Sequence, residues 1–235
     1  MKTLYRFCTL LIISAVCFSS CDDKPITHSF TAILDLTEKH FNGISISEIR
    51  KVSALNKNPM NGESMRLVPI TELGFNKSYE VGIQKDSNLL MGNDYERTDL
   101  VNGYFSKIDT CLKLMIREKH ERTASVIFKV MTEELNRLSE STADSRTALI
   151  NTDFMEKSFI NFYDTATMNA IRKHPDTIMQ KLLKRYPLKR LKGVEIYFAY
   201  LPKNIEDSER YEVLSQFYKK MFESFGAKVY IVGTI

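Results

Sequence analysis

The 235-residue chain carries 33 Lys and Arg against 29 Asp and Glu, a formal net charge of +4, with 43% apolar and 26% charged residues. That balance suits one ordinary globular domain with a real core and gives no ground for nucleic-acid binding. Beyond the first twenty residues no run approaches the ~18 apolar residues a membrane crossing needs.

Met1-Lys2 and Arg6 form a basic start, Leu10 to Phe18 an apolar run, and Ser19-Ser20 a pair of small residues before Cys21. The run is too short to span a bilayer, so it predicts an export signal over residues 1–20. A cysteine behind small residues resembles the lipobox of bacterial lipoproteins. The resemblance implies cleavage before Cys21, acylation of its thiol and new amino terminus, and a lipid anchor in the outer membrane. Asp22-Asp23 then resembles the surface-export signal of Bacteroidetes-type lipoproteins, or is a solvated tether. Cleavage removes Lys2 and Arg6, and with them half of the net charge of +4. Cys8 and Cys17 leave with the leader, so Cys111 is the one free thiol and no intrachain disulfide forms. Its place on an apolar helical face predicts a buried structural thiol.

Residues 21–29 are expected to be the lipidated cysteine and its tether, and residues 30–235 the domain. Residues 30–34 form an apolar run of the kind covered on both faces of a parallel sheet, ending at Asp35. A short helix is expected over 45–55 and a loop over 56–64. Strands at 65–72 and 78–84 sit close enough for an antiparallel hairpin. After a polar loop, Thr98 is expected to open a helix reaching about residue 121, and a second helix follows over 123–139. Residues 147–153 read as a strand ending at Asp153. The stretch 155–190 is ambiguous, with helical fragments at 166–173 and 176–184 between Pro175 and Pro187. A strand at 194–201, an amphipathic helix over 211–225 stopped by Gly226, and a strand at 227–232 close the chain. Strands alternating with helices predict an α/β fold with an open, mostly parallel, Rossmann-like sheet, helices on both faces and an antiparallel edge strand.

The string Phe30 to Lys39 resembles the first strand and turn of a von Willebrand factor A-type domain, a family that binds a divalent metal where that strand ends in Asp-x-Ser-x-Ser. Ile150-Asn151-Thr152-Asp153 is similar to the family's later strand ending in Thr-Asp. Carried over, Asp35 is the first acid, Thr37 the first hydroxyl, Asp153 the late acid and Thr98 the middle threonine of a site for Mg²⁺. Such a set supplies hard oxygen ligands and leaves room for a partner's carboxylate. Two positions depart from the pattern. Lys39 replaces the second serine and has no lone pair to offer, and Phe154 stands where a glycine often follows. Each candidate also has a plain structural role: Asp35 and Asp153 as turn caps, Thr98 as a helix N-cap.

The resemblance implies a lipid-anchored envelope protein that recognises a protein partner through this site, intact or degenerate, and is not an enzyme. A second possibility is a lipoprotein hydrolase using Asp35 as a phosphatase nucleophile, although Thr37 holds the place of the expected general acid. A third is an envelope assembly component without metal. The four histidines, at 28, 40, 120 and 174, have no zinc-site spacing, and phosphate-cradling, dinucleotide and nucleophile-elbow motifs are absent. Residues 181–192, with Arg185, Lys189 and Arg190, form the one basic cluster. It either meets acidic lipid or is a solvated loop.

Overall fold

The computed structural model describes residues 24–37, 44–70, 77–87, 94–117 and 124–233. The expected leader, Cys21, Lys39, His40, His120 and the hairpin tip at 74–76 lie outside these residues. Six strands form one sheet: β1 (Thr27–Asp35), β2 (Gly62–Ile70), β3 (Tyr79–Ile83), β4 (Ser145–Asn151), β5 (Val194–Ala199) and β6 (Lys228–Val232). Their order is β3-β2-β1-β4-β5-β6. All neighbours are parallel except β2 and β3, which pair antiparallel. This is the expected α/β sheet with its antiparallel edge, in the strand order of doubly wound folds.

Side chains alternate between the two faces. Phe30, Ala32, Leu34, Met65, Leu67 and Leu149 meet α1 (Ile46–Val52), α2 (Ala54–Lys57) and α3 (Asp94–Arg117). Ile33, Val68, Ala148, Ile150, Ile196 and Phe198 meet α4 (Ile127–Ser139), α5 (Thr165–Lys173), α6 (Pro175–Arg185) and α7 (Ile205–Ser224). Ser45 closes a capping box with Glu48 at the start of α1, and Pro175 begins α6 at its first turn, where a missing N–H costs nothing. Cys111 is half-buried against the first core, and burial pushes its thiol pKa up. Among the described residues no helix is long and apolar enough to cross a membrane.

Several boundaries differ from expectation: β4 spans Ser145–Asn151, which leaves Asp153 in the loop beyond it, and the helices expected from 123 and 211 begin at Ile127 and Ile205. β1 begins at Thr27, so residues 27–29 belong to the sheet and not to a tether. They read as polar because Thr27 bonds Asp144 and His28 bonds Glu63. Strand β2 likewise begins inside the expected 56–64 loop, at Gly62. Helix α3 starts at Asp94, ahead of Thr98. Its first turn exposes Tyr95 and Glu96 and buries Arg97, so the turn carries no apolar periodicity for a sequence reading to find.

Candidate functional site

The strand order reverses between β1 and β4, and in open α/β sheets the crevice beyond the carboxyl ends of such strands is where ligands bind. Three connections meet there: 35–37 after β1, 124–128 before α4 and 152–158 after β4. We call this end the carboxyl pole, and the end where β1 begins the amino pole.

Asp35 is the last residue of β1 and is 3% exposed. Its Oδ1 accepts from the Thr37 amide at 3.0 Å and the Thr37 hydroxyl at 2.5 Å, a local Asx turn. Its Oδ2 accepts from the Thr152 hydroxyl at 2.7 Å, across the β1–β4 boundary. Thr152 in turn accepts from the Phe154 amide at 3.0 Å, and Asp153 Oδ1 accepts from the Met155 amide at 2.8 Å. These nested turns place Phe154 at φ 62°, the one non-glycine with positive φ among the described residues. The position the family resemblance assigns to glycine therefore keeps a glycine-like backbone while carrying a phenyl ring. That ring is fully buried against Phe198, Tyr211 and Tyr218, which holds a conformation costing about 1–2 kcal/mol in an L-residue.

Glu156, unremarked in the sequence, completes the cluster. The N-cap of α4 is Val126, which has no side-chain acceptor. Glu156 Oε2 supplies one from a distant segment, accepting from the Phe128 amide at 2.7 Å, while Ser158 donates to Oε1. Ser125 and Lys157 exchange backbone hydrogen bonds at 3.0 Å, and the Thr37 hydroxyl reaches Ser125 Oγ at 3.3 Å. Glu156 has no exposed surface. Burial raises its pKa to about 7, with the Asp35 charge adding to the rise and hydrogen bonds from Ser158, Phe128 and Ile127 opposing it.

The structure thus brings Asp35, Thr37 and Asp153 to one pole and adds Thr152, Ser125 and Glu156. Thr98 is elsewhere. It stands exposed in the second turn of α3, next to Arg97, whose guanidinium binds the carbonyls of Pro59, Asn61 and Gln84. Asn61 precedes Gly62, the register partner of Thr27, so Thr98 lies at the amino pole, a strand length of about 26 Å from Asp35. Among the described residues no three His, Cys, Asp or Glu side chains are grouped to hold a metal. The set for Mg²⁺ that the structure brings together is Asp35, Thr37 and Asp153 without Thr98, and Asp35 already accepts three hydrogen bonds on its two oxygens.

Around this closed base the loops expose apolar side chains. Phe159 and Tyr163 after β4, and Leu201 and Ile205 after β5, are 38%, 58%, 52% and 80% exposed.

A second buried cluster lies toward the amino pole. Glu63 accepts from Ser53, the Ala54 amide and Tyr104, and pairs with His28 Nδ1 at 2.6 Å, while His28 Nε2 meets Thr147 Oγ1 at 2.9 Å. The carboxylate–imidazole–hydroxyl order is that of a nucleophilic relay. Its members are at most 6% exposed, so it ties α1–α3 to the sheet and offers no reactive oxygen to solvent. Its members come from β1, β2, β4, α2 and α3 and from Ser53 between α1 and α2, which is why no spacing in the sequence announces it.

Comparison with known protein families and with curated proteins gives no match, so the residues themselves carry the functional reading.

Proposed function

We propose that this chain is a lipid-anchored envelope protein of von Willebrand A-like type that recognises a protein partner through the loops at its carboxyl pole. The observation that carries the proposal is that Phe159 and Tyr163 after β4, and Leu201 and Ile205 after the neighbouring β5, are exposed in connections that follow the carboxyl ends of those strands. Large apolar and aromatic side chains exposed together mark interaction surfaces, and such anchors dominate binding energy. The hydrogen-bonded base beneath them fixes the 152–158 loop in advance, which lowers the ordering cost of binding. The antiparallel edge and the Asp35 and Thr152-Asp153 turns support the family likeness. Cys21, acylated as the lipobox resemblance implies, supplies the outer-membrane anchor. Recognition rests on side chains, and Mg²⁺ at Asp35, Thr37 and Asp153 is the variant of the proposal that depends on metal.

The test is chemical cross-linking of the tagged full-length chain in its native envelope. Tyr163→Ser with Ile205→Ser is expected to melt within about 2 °C of the wild type, both sites being exposed, and to lose a discrete protein adduct. An adduct that persists in the double variant contradicts the proposal. Millimolar Mg²⁺ is expected to leave Tm unchanged, and a rise of several degrees would favour the metal-dependent variant instead.

A further inference from the structure

The connection from α6 to β5, residues 186–193, is held at the amino pole from several sides. The Leu191 amide donates to Phe225 O behind α7 at 2.8 Å. Asn136, in the last turn of α4, donates to Pro187 O at 2.9 Å and accepts from the Lys189 amide at 2.7 Å. Arg146, second residue of β4, reaches Lys192 O at 3.1 Å. At the same end the amide and hydroxyl of Thr27 each donate to Asp144 Oδ2 at 2.8 Å, where the chain enters β1.

Lys189, Arg190 and Lys192 are exposed there, whereas Lys184 and Arg185 are exposed at the end of α6, where Tyr186 packs against Phe159. Lys189 pairs with Glu140, and Arg185 stacks over Tyr186. Among the described residues Lys184, Arg190 and Lys192 have no carboxylate partner. Cations in a last helical turn answer the helix dipole, which accounts for Lys184 and Arg185 on α6. Arg190 and Lys192 lie beyond the helix, and the dipole does not account for them. Lys85 and Arg137 line a cleft of ≈650 Å³ at the same pole, with Glu140, Ser141 and Thr142. Of the acids at this pole, Asp144 accepts from Thr27, which lowers its pKa and keeps it ionised, and Glu195 lies 3.8 Å from Lys228. The opposite pole exposes Asp164 and Glu206 together with Lys157 and Lys203, and its Asp35, Asp153 and Glu156 are buried.

We infer that the amino pole is a docking surface for anionic phosphate headgroups of the bilayer that holds the anchor. The inference rests on the lipid anchor at Cys21 proposed above. Five residues separate Cys21 from Thr27, a reach of about 20 Å at full extension. That keeps the basic pole within about two Debye lengths of the surface, where each Lys or Arg adds attraction. The opposite pole mixes exposed acids with exposed lysines and is not drawn to the surface, so the molecule stands with that pole facing outward. The anchor alone sets where the chain is held, and the charge asymmetry sets which way it points.

Limited trypsin digestion of the acylated full-length chain in vesicles tests this, using phosphatidylcholine alone or with phosphatidylglycerol added. Cleavage after Arg190 and Lys192 is expected to slow about fivefold or more in the anionic vesicles, while cleavage after Lys203 at the other pole is unchanged. The exposed double variant Arg190→Glu with Lys192→Glu is expected to float with the vesicles as before and to lose the protection of Lys85, which lines the cleft at the same pole. Equal rates in the two lipids, or equal slowing at both poles, overturn the inference. A chain that floats with neither vesicle contradicts the anchor, a result distinct from a chain that floats unprotected.

Discussion

Burial takes Glu156 out of water, and the hydrogen bonds from Phe128, Ile127 and Ser158 return only part of the solvation its carboxylate loses. The folded pKa rises from the ordinary 4.5 to about 7. Between those values the native chain holds a proton that the unfolded chain has released, so stability falls as pH rises through the window and is level on either side. The span corresponds to on the order of 3 kcal/mol. Glu156→Gln, which keeps an acceptor for the α4 amides, is therefore expected to lose this slope. Its stability relative to the wild type should climb between pH 4.5 and 7 in urea denaturation. Parallel curves across that window would show that the acid is not strained by burial. Thr152 is a second test at this scale, because its hydroxyl joins Asp35 to the Phe154 turn. Thr152→Val keeps the shape, leaves a buried carboxylate oxygen short of a donor, and is expected to cost about 1–3 kcal/mol by the same denaturation measurement.

At the scale of elements, two glycines report on opposite constraints. A Cβ on Gly62 would stand 2.6 Å from the backbone nitrogen of Lys85, where β2 begins beside the end of β3, whereas one on Gly103 in α3 meets nothing within 4 Å. Gly62→Ala is expected to cost about 1–3 kcal/mol through overpacking against a backbone that cannot retreat. Gly103→Ala is expected to gain about 0.5–1 kcal/mol by restricting the unfolded chain and raising helix propensity. Melting temperatures of the two variants moving in the same direction would contradict this pair. Elements were legible where burial is apolar: the core of β1, the β2–β3 hairpin and the stripe of α7 follow from side-chain periodicity alone. They were not legible where burial is polar. Residues 27–29 read as tether because Thr27 and His28 are satisfied by Asp144 and Glu63, which lie far along the chain. The start of α3 read as loop because Arg97 buries its guanidinium on carbonyls, and that shift removes Thr98 from the helix terminus and from the site. Asp35 and Thr37 were found because the end of β1 is visible in the sequence, and Asp153 because it lies two residues beyond the end of β4. Glu156 was not, since the cap it supplies belongs to a helix that begins 29 residues earlier.

For the whole molecule, the parallel sheet makes the two poles chemically different. All strands but β3 enter at the amino pole, with the basic 186–193 connection and the chain's approach to Cys21. They leave at the carboxyl pole, with the buried acids, the closed hydrogen-bonded turns and the exposed apolar side chains. Under the proposed function, the anchor holds the domain at one pole and the partner is recognised about 26 Å away at the other. The most direct measurement of that claim is photo-cross-linking in the native envelope, with a photo-reactive residue placed in turn at Tyr163, Ile205 and Lys192. The account predicts a discrete protein adduct from Tyr163 and Ile205, and none from Lys192. A protein adduct from Lys192 alone, or from no position, would contradict it.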